Sequence, residues 1–141
     1  MMTLLEDCIV LAVEAHKGQK DRYGRPYILH PLHLMAQMDT EEEMMTAVLH
    51  DVVEDTDYTL ADLREMGLPD AVVVAVGLLT HDKEAVPYDE YVRHLKPNPI
   101  AKKVKLADLQ HNMDIRRLRS VEEKDAVRLE KYRRAWAYLV E

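Results

Sequence analysis

Helix-opening signals recur along this sequence with no turn-bounded strand pair between them, and that restricts the fold more than any other feature. Thr40 with Glu43, Thr59 with Asp62 and Ser120 with Glu123 each place a hydroxyl three residues before a carboxylate, the capping-box pattern. Pro31, Pro69, Pro87 and Pro99 stand where proline suits a first helical turn. The spacing predicts helices over 3–17, 31–38, from 41 through the fifties, from 59 to Gly67, from Pro69, over 87–96, 99–118 and 121–140. Residues 18–29, GQKDRYGRPYIL, read as a loop because glycine, proline and charge crowd there. Val72, Val73, Val74 and Val76 favour a strand by propensity. The flanking Pro69, Asp70 and Ala71, and the missing partner strand, predict a helix instead. The expected fold is all-α, a single domain over 1–141 built from about eight helices with short connections.

Composition narrows the function. The net charge of −7 argues against nucleic acid as a partner, since phosphate backbones bind basic surfaces. A small anionic ligand needs only a local basic patch. No apolar run approaches the ~20 residues of a membrane span. The acids of the first residues do not fit a secretory leader. Cys8 is alone, so no intrachain disulfide forms, and a cytoplasmic setting is expected. Cys8 falls among Leu4, Leu5, Ile9 and Leu11 and reads as a buried small hydrophobe. Phe is absent and Met abundant, which suits a helical core. Nothing here decides between a monomer and a homo-oligomer.

The chemistry concentrates at Thr46–Thr56, TAVLHDVVEDT. On one continuous helix, Met44, Met45, Val48, Leu49, Val52 and Val53 cover one arc. His50, Asp51, Glu54 and Asp55 cover the other, Glu54 four residues after His50 and Asp55 four after Asp51. A charged helix face is most often a solvated one. Here, however, no Lys or Arg occurs between residues 41 and 63 to offset the crowded acids. A divalent cation is the natural compensation. One helix cannot surround an ion, so further ligands must come from elsewhere. His30, at the end of the glycine-containing loop, and Asp108, set among Leu106, Ala107 and Leu109, are the candidates. Two imidazoles and two carboxylates suit Mn²⁺, Fe²⁺ or Zn²⁺ better than Cu(I).

These residues carry a resemblance. Ala15–Lys20 (AHKGQK), Gly24–Pro31 (GRPYILHP), Leu49–Thr56 (LHDVVEDT) and Lys105–Met113 (KLADLQHNM) resemble the HD-domain metal-dependent phosphohydrolases. More narrowly, they are similar to the hydrolase domain of RelA/SpoT-type (p)ppGpp enzymes of the stringent response and their small stand-alone relatives. The segments fall in the family's order over nearly the whole chain. The resemblance implies an HD-domain helical bundle, and a hydrolase-only protein because no synthetase domain follows. It implies Mn²⁺ held by His30, His50, Asp51 and Asp108. It also implies Glu54 and Asp55 handling the attacking water; of the two, we expect Glu54 as the main base and Asp55 orienting. The implied reaction is hydrolysis of the 3′-diphosphate of (p)ppGpp. Its substrate-binding residues would include Arg22, Lys105, Asn112 and the pair Arg128 and Tyr132 on the last helix. Lys17, Lys20, Arg116 and Arg117 read as solvated surface charges.

One position departs from the family. Where its hydrolases commonly carry Arg-Lys, with the Arg packing on guanine, this chain has Asp21-Arg22. A carboxylate cannot stack as a guanidinium does. It can hydrogen-bond a base edge or face water. A different phosphorylated nucleotide or dinucleotide is therefore the alternative substrate, and a non-catalytic alarmone-binding module the alternative function. His16 reads as a local hydrogen-bonding residue. His33, His81, His94 and His111 lack acids at ligand spacing and read as surface or core-edge residues.

Overall fold

In a computed structural model covering residues 1–141, the chain forms nine α-helices and one 3₁₀ turn. They are α1 (Leu4–Ala15), α2 (Leu29–Ala36), α3 (Glu41–Leu49), α4 (Val52–Asp55), α5 (Leu60–Glu65), α6 (Asp70–Leu79), α7 (Tyr88–Leu95), α8 (Pro99–Asn112) and α9 (Glu123–Val140). The 3₁₀ turn, Ile115–Arg117, lies between α8 and α9. The sole β feature is an isolated antiparallel bridge, Lys20 to Pro26, that closes the loop before α2. The all-α expectation holds, and the valine-rich segment is helical.

Local chemistry sets most of the helix starts. Thr40 and Thr59 form the expected capping boxes with Glu43 and Asp62, and Thr3 forms another with Glu6. At α9 the box is displaced. Glu122, not Ser120, is the cap residue, and its partner is Asp125. A carboxylate can accept the same amide protons as a hydroxyl, and it places α9 two residues later than expected. The helix expected over 99–118 stops at Asn112. Asp114 then caps the 3₁₀ turn by accepting from the Arg116 N–H.

The largest departure is in the central helix. Residues 46–56 are not one helix but two, α3 and α4, broken at His50–Asp51. The His50 amide reaches the Ala47 carbonyl, and Asp51 has φ −106° and ψ 0°. In an unbroken helix successive side chains diverge by ~100°. The break lets His50 and Asp51 turn into the same volume.

Two apolar clusters flank this break. Leu34, Ala75, Leu79, Leu95, Val104, Leu109 and Leu139 belong to the first. Cys8, Val48, Leu49, Val52, Leu63, Val72 and Val76 belong to the second. Helices α3 and α6 contribute to both, so the C-terminal end of α3 is fixed from two sides. Cys8 is fully buried, as expected, and burial together with the Asp7 charge pushes its thiol up to about 12. No helix is long and apolar enough to cross a membrane.

Candidate metal centre and cavity

Three helices bring the expected ligands together. His30 lies in the first turn of α2, not ahead of it, His50 and Asp51 occupy the α3–α4 break, and Asp108 projects from α8. The ligand atoms of His30, His50 and Asp51 lie within 4.8 Å of one another. Asp108 Oδ1 is 2.9 Å from His30 Nε2 and 3.7 Å from His50 Nε2.

The donor set fits a divalent cation. His50 is buried, and its Nδ1 lies 2.7 Å from the Ala47 carbonyl, which only accepts. Nδ1 therefore carries the proton donated there, and Nε2 points inward. That Nε2 is buried with no aligned hydrogen-bond partner, although Asp51 Oδ2 is 2.9 Å away. A buried nitrogen lone pair that meets no donor, among converging carboxylate oxygens, is the arrangement a cation satisfies.

The carboxylates are held ionised. Burial would raise Asp51, but the facing His50 charge outweighs it and holds Asp51 down at about 2. Burial would also raise Asp108, and Lys105, His30 and His50 hold it well below the usual range. Lys105 Nζ is 3.0 Å from Asp108 Oδ2, and Asn112 Nδ2 donates to Asp108 Oδ1 at 2.9 Å. The Tyr27 hydroxyl donates to Asp51 Oδ2. Burial and the Asp51 charge push its phenol far up, so it remains a donor.

Beside this cluster opens a cavity of about 630 Å³. Asp51, Glu54, Asp55 and Asp108 line it together with Arg22, Lys83, Lys105 and Lys131. Lys131 lies 4.3 Å from the Tyr88 ring centre. Its ammonium is lowered first by burial and then by Lys105, Lys83 and Arg22, a sign of positive charge crowded around it. The two candidate catalytic acids differ. Glu54 Oε1 accepts from the His81 amide at 2.7 Å, and Oε2 lies 3.5 Å from Lys83 Nζ. The Asp55 carboxylate has no such tie. Burial, then the Asp51 and Glu54 charges, push it up to about 6.

The expected substrate-binding residues divide. Arg22, Lys105, Asn112 and Tyr132 line the cavity, with Lys105 and Asn112 turned onto Asp108. Arg128 does not. It lines a neighbouring hollow of about 490 Å³ with Arg119 and Lys124, and its Nη2 lies 3.1 Å from Asp125. Arg22 and Tyr23 form the wall between the two. Asp21 lines the cavity and is tied to the protein at both oxygens. Its Oδ1 accepts from the amides of Tyr23 and Arg25, and its Oδ2 is 3.5 Å from Arg117. Arg117 is not a free surface charge either. Its guanidinium lies 5.0 Å from the Tyr23 ring and its Nη1 donates to the His111 carbonyl.

His16 is a local residue as expected, with Nδ1 2.9 Å from Gln19 Oε1. Tyr27, Lys83, Tyr88 and Lys131 were not singled out by the sequence pattern. Only Tyr27 left a trace there, three residues before His30 on the same approach to α2. His81 and His111 are half-buried, as expected of core-edge residues, and both touch the site: the His81 backbone amide donates to Glu54, and His111 Nδ1 lies 2.7 Å from His30 Nδ1.

No family model matches the chain. Among curated proteins it is 36% identical, over 77% of its length, to a GTP pyrophosphokinase of Streptomyces coelicolor, and spans 14% of that protein. It is 36% identical over 74% of its length to guanosine-3′,5′-bis(diphosphate) 3′-pyrophosphohydrolase of Haemophilus influenzae. It is 30% identical over 77% to the bifunctional (p)ppGpp synthase/hydrolase SpoT of Escherichia coli, and spans 17% of each. A solved structure of a metazoan SpoT orthologue, described as hydrolysing ppGpp and acting in starvation responses, superposes with a TM-score of 0.81. The match covers 100% of this chain and 87% of that one at 24% identity, and it establishes the fold.

Proposed function

Because the chain belongs to the HD-domain proteins of the RelA/SpoT hydrolase type, we propose that it removes the 3′-diphosphate of (p)ppGpp as pyrophosphate. We read residues 1–141 as one hydrolase domain. The observation that carries the proposal is the convergence of His30, His50, Asp51 and Asp108 beside a cavity that Arg22, Lys83, Lys105 and Lys131 also line.

In this reading the four residues hold a divalent cation, Mn²⁺ by family resemblance, with Fe²⁺ or Zn²⁺ suited to the same donors. Bound there, it would lower the pKa of water and offset phosphoryl charge. The protein's own groups do the rest. Lys105, Asn112 and Tyr27 fix the ligand carboxylates by hydrogen bonding. Arg22, Lys83 and Lys131 draw in the polyanionic substrate, and Tyr132 and Tyr88 wall it. The 3′-oxygen–phosphorus bond breaks, the water oxygen ends on pyrophosphate, and the 3′-hydroxyl takes a proton.

The two acids divide the work differently from the expectation that Glu54 is the main base. Glu54 is tied to His81 and Lys83, which suits orienting the water. Asp55, poised at about 6, suits accepting its proton near neutrality. The substrate is a small nucleotide. The test is metal analysis of the purified protein coupled to ppGpp turnover with and without added Mn²⁺. Metal-dependent release of pyrophosphate and a free 3′-hydroxyl is expected. Equal turnover of unrelated phosphomonoesters would overturn the substrate, and tight ppGpp binding without product would favour the non-catalytic alternative.

A further inference from the structure

We propose that His111 is a positioning residue for the metal centre, holding the His30 ring in ligating orientation. The proposal rests on the reading of His30 as a ligand.

The two imidazoles meet edge to edge at Nδ1, 2.7 Å apart, with ring planes 6° from parallel. His111 is restrained on other sides too. The His33 ring, one turn along α2 from His30, stacks on it at 4.0 Å, and Arg117 Nη1 donates to its carbonyl at 2.9 Å. Helix α2 thus grips one α8 imidazole between two of its own.

The choice of partner is unusual. A ligating histidine generally donates its second N–H to a carboxylate, a backbone carbonyl or water. His50 follows that rule with the Ala47 carbonyl, an acceptor only. His30 instead presents its Nδ1 to another imidazole, His111 Nδ1 at 2.7 Å. With its Nε2 lone pair given to an ion, His30 would carry its proton on Nδ1 and donate that hydrogen bond to His111 Nδ1, whose own proton then sits on Nε2.

The test uses the full chain, stripped and titrated with Zn²⁺ and Mn²⁺. His111→Leu keeps apolar volume but no hydrogen bond and should weaken ion binding by the 10–100-fold typical of a lost ligand-orienting partner. His111→Asn places an amide near the Nδ1 position and should recover much of that loss. Imidazole ¹⁵N NMR of the unsubstituted protein supplies a readout that a packing role would not move, and one independent of whether the Leu variant folds. In the Zn²⁺-loaded protein His111 should carry its proton on Nε2, with Nδ1 accepting from His30. Wild-type affinity in a folded His111→Leu protein, or a His111 protonated on Nδ1 in the Zn²⁺-loaded protein, would overturn the role alone. Failure of the unsubstituted protein to bind either ion would overturn the metal centre itself.

Discussion

Asp55 and Glu54 share the cavity but not their surroundings, and that difference is measurable. An Asp55 carboxyl raised to about 6 binds more protons folded than unfolded, where its value is near 3.8. Below 3.8 it is protonated in both states and costs nothing. Above 6 it is ionised in both, and the repulsion from Asp51 and Glu54 is fully felt by the fold. Asp55→Asn should therefore raise the melting temperature of the metal-free protein at pH 7 and change it little at pH 4, a contrast that calorimetry at both pH values would test. The same substitution should cut turnover by ~10²–10⁴, the scale of a lost general base, and remove an acid limb of kcat/KM lying at or below about 6. Glu54→Gln keeps an acceptor for the His81 amide and should retain more activity than Asp55→Asn. The reverse order in steady-state rates would return the base to Glu54. Composition suggested both acids, because they lie one turn after His50 and Asp51. It could not rank them, because the His81 amide that holds Glu54 lies 27 residues away in sequence.

Individual helices were readable where their cause is local. Capping boxes at Thr40 and Thr59 act over three residues, so the sequence contains both partners. At α9 two local solutions competed. Ser120 and Glu123 match the pattern, but Glu122 and Asp125 form the cap, and Asp125 is also placed to meet Arg128. Ser120→Ala should thus leave stability within ~0.5 kcal/mol, as for surface changes generally. Asp125→Ala should cost about 1 kcal/mol or more by removing a cap and stranding the half-buried Arg128. Urea unfolding of the two variants would check the assignment, and equal losses would refute it. The break in the central helix was not readable. Thr46–Asp55 contains no proline or glycine to announce it, and the segment keeps helical spacing on both sides. What holds the break is packing of Val48 and Leu49 on one side and Val52 on the other into a single apolar cluster, with His50 anchored to Ala47.

The assembled molecule brings Asp51, Glu54, Asp55 and Asp108 to one cavity. Such a cluster repels itself until a cation joins it. Ion binding to the folded state alone should therefore stabilise the protein by about 2.7 kcal/mol at a free concentration 100 times Kd. Chelation should lower the melting temperature and Mn²⁺ or Zn²⁺ restore it, read in a thermal scan. An unchanged transition would mean that Lys105, Asn112 and Tyr27 suffice to hold the acids. Periodicity and capping, which act over a few residues, settled that this chain is helical and roughly where each helix begins. Motif order along the chain pointed to the ligand set and the family. Neither reached the contacts that bring the candidate ligands together. His30 and Asp108 are 78 residues apart, and His30 and His111 81. Whether Arg128 shares a cavity with Tyr132, or Asp21 meets a base or the Arg117 guanidinium, depends on how α2, α8 and α9 pack. Those choices belong to the tertiary structure, because side chains distant in sequence exert force on one another only after burial has brought their helices together.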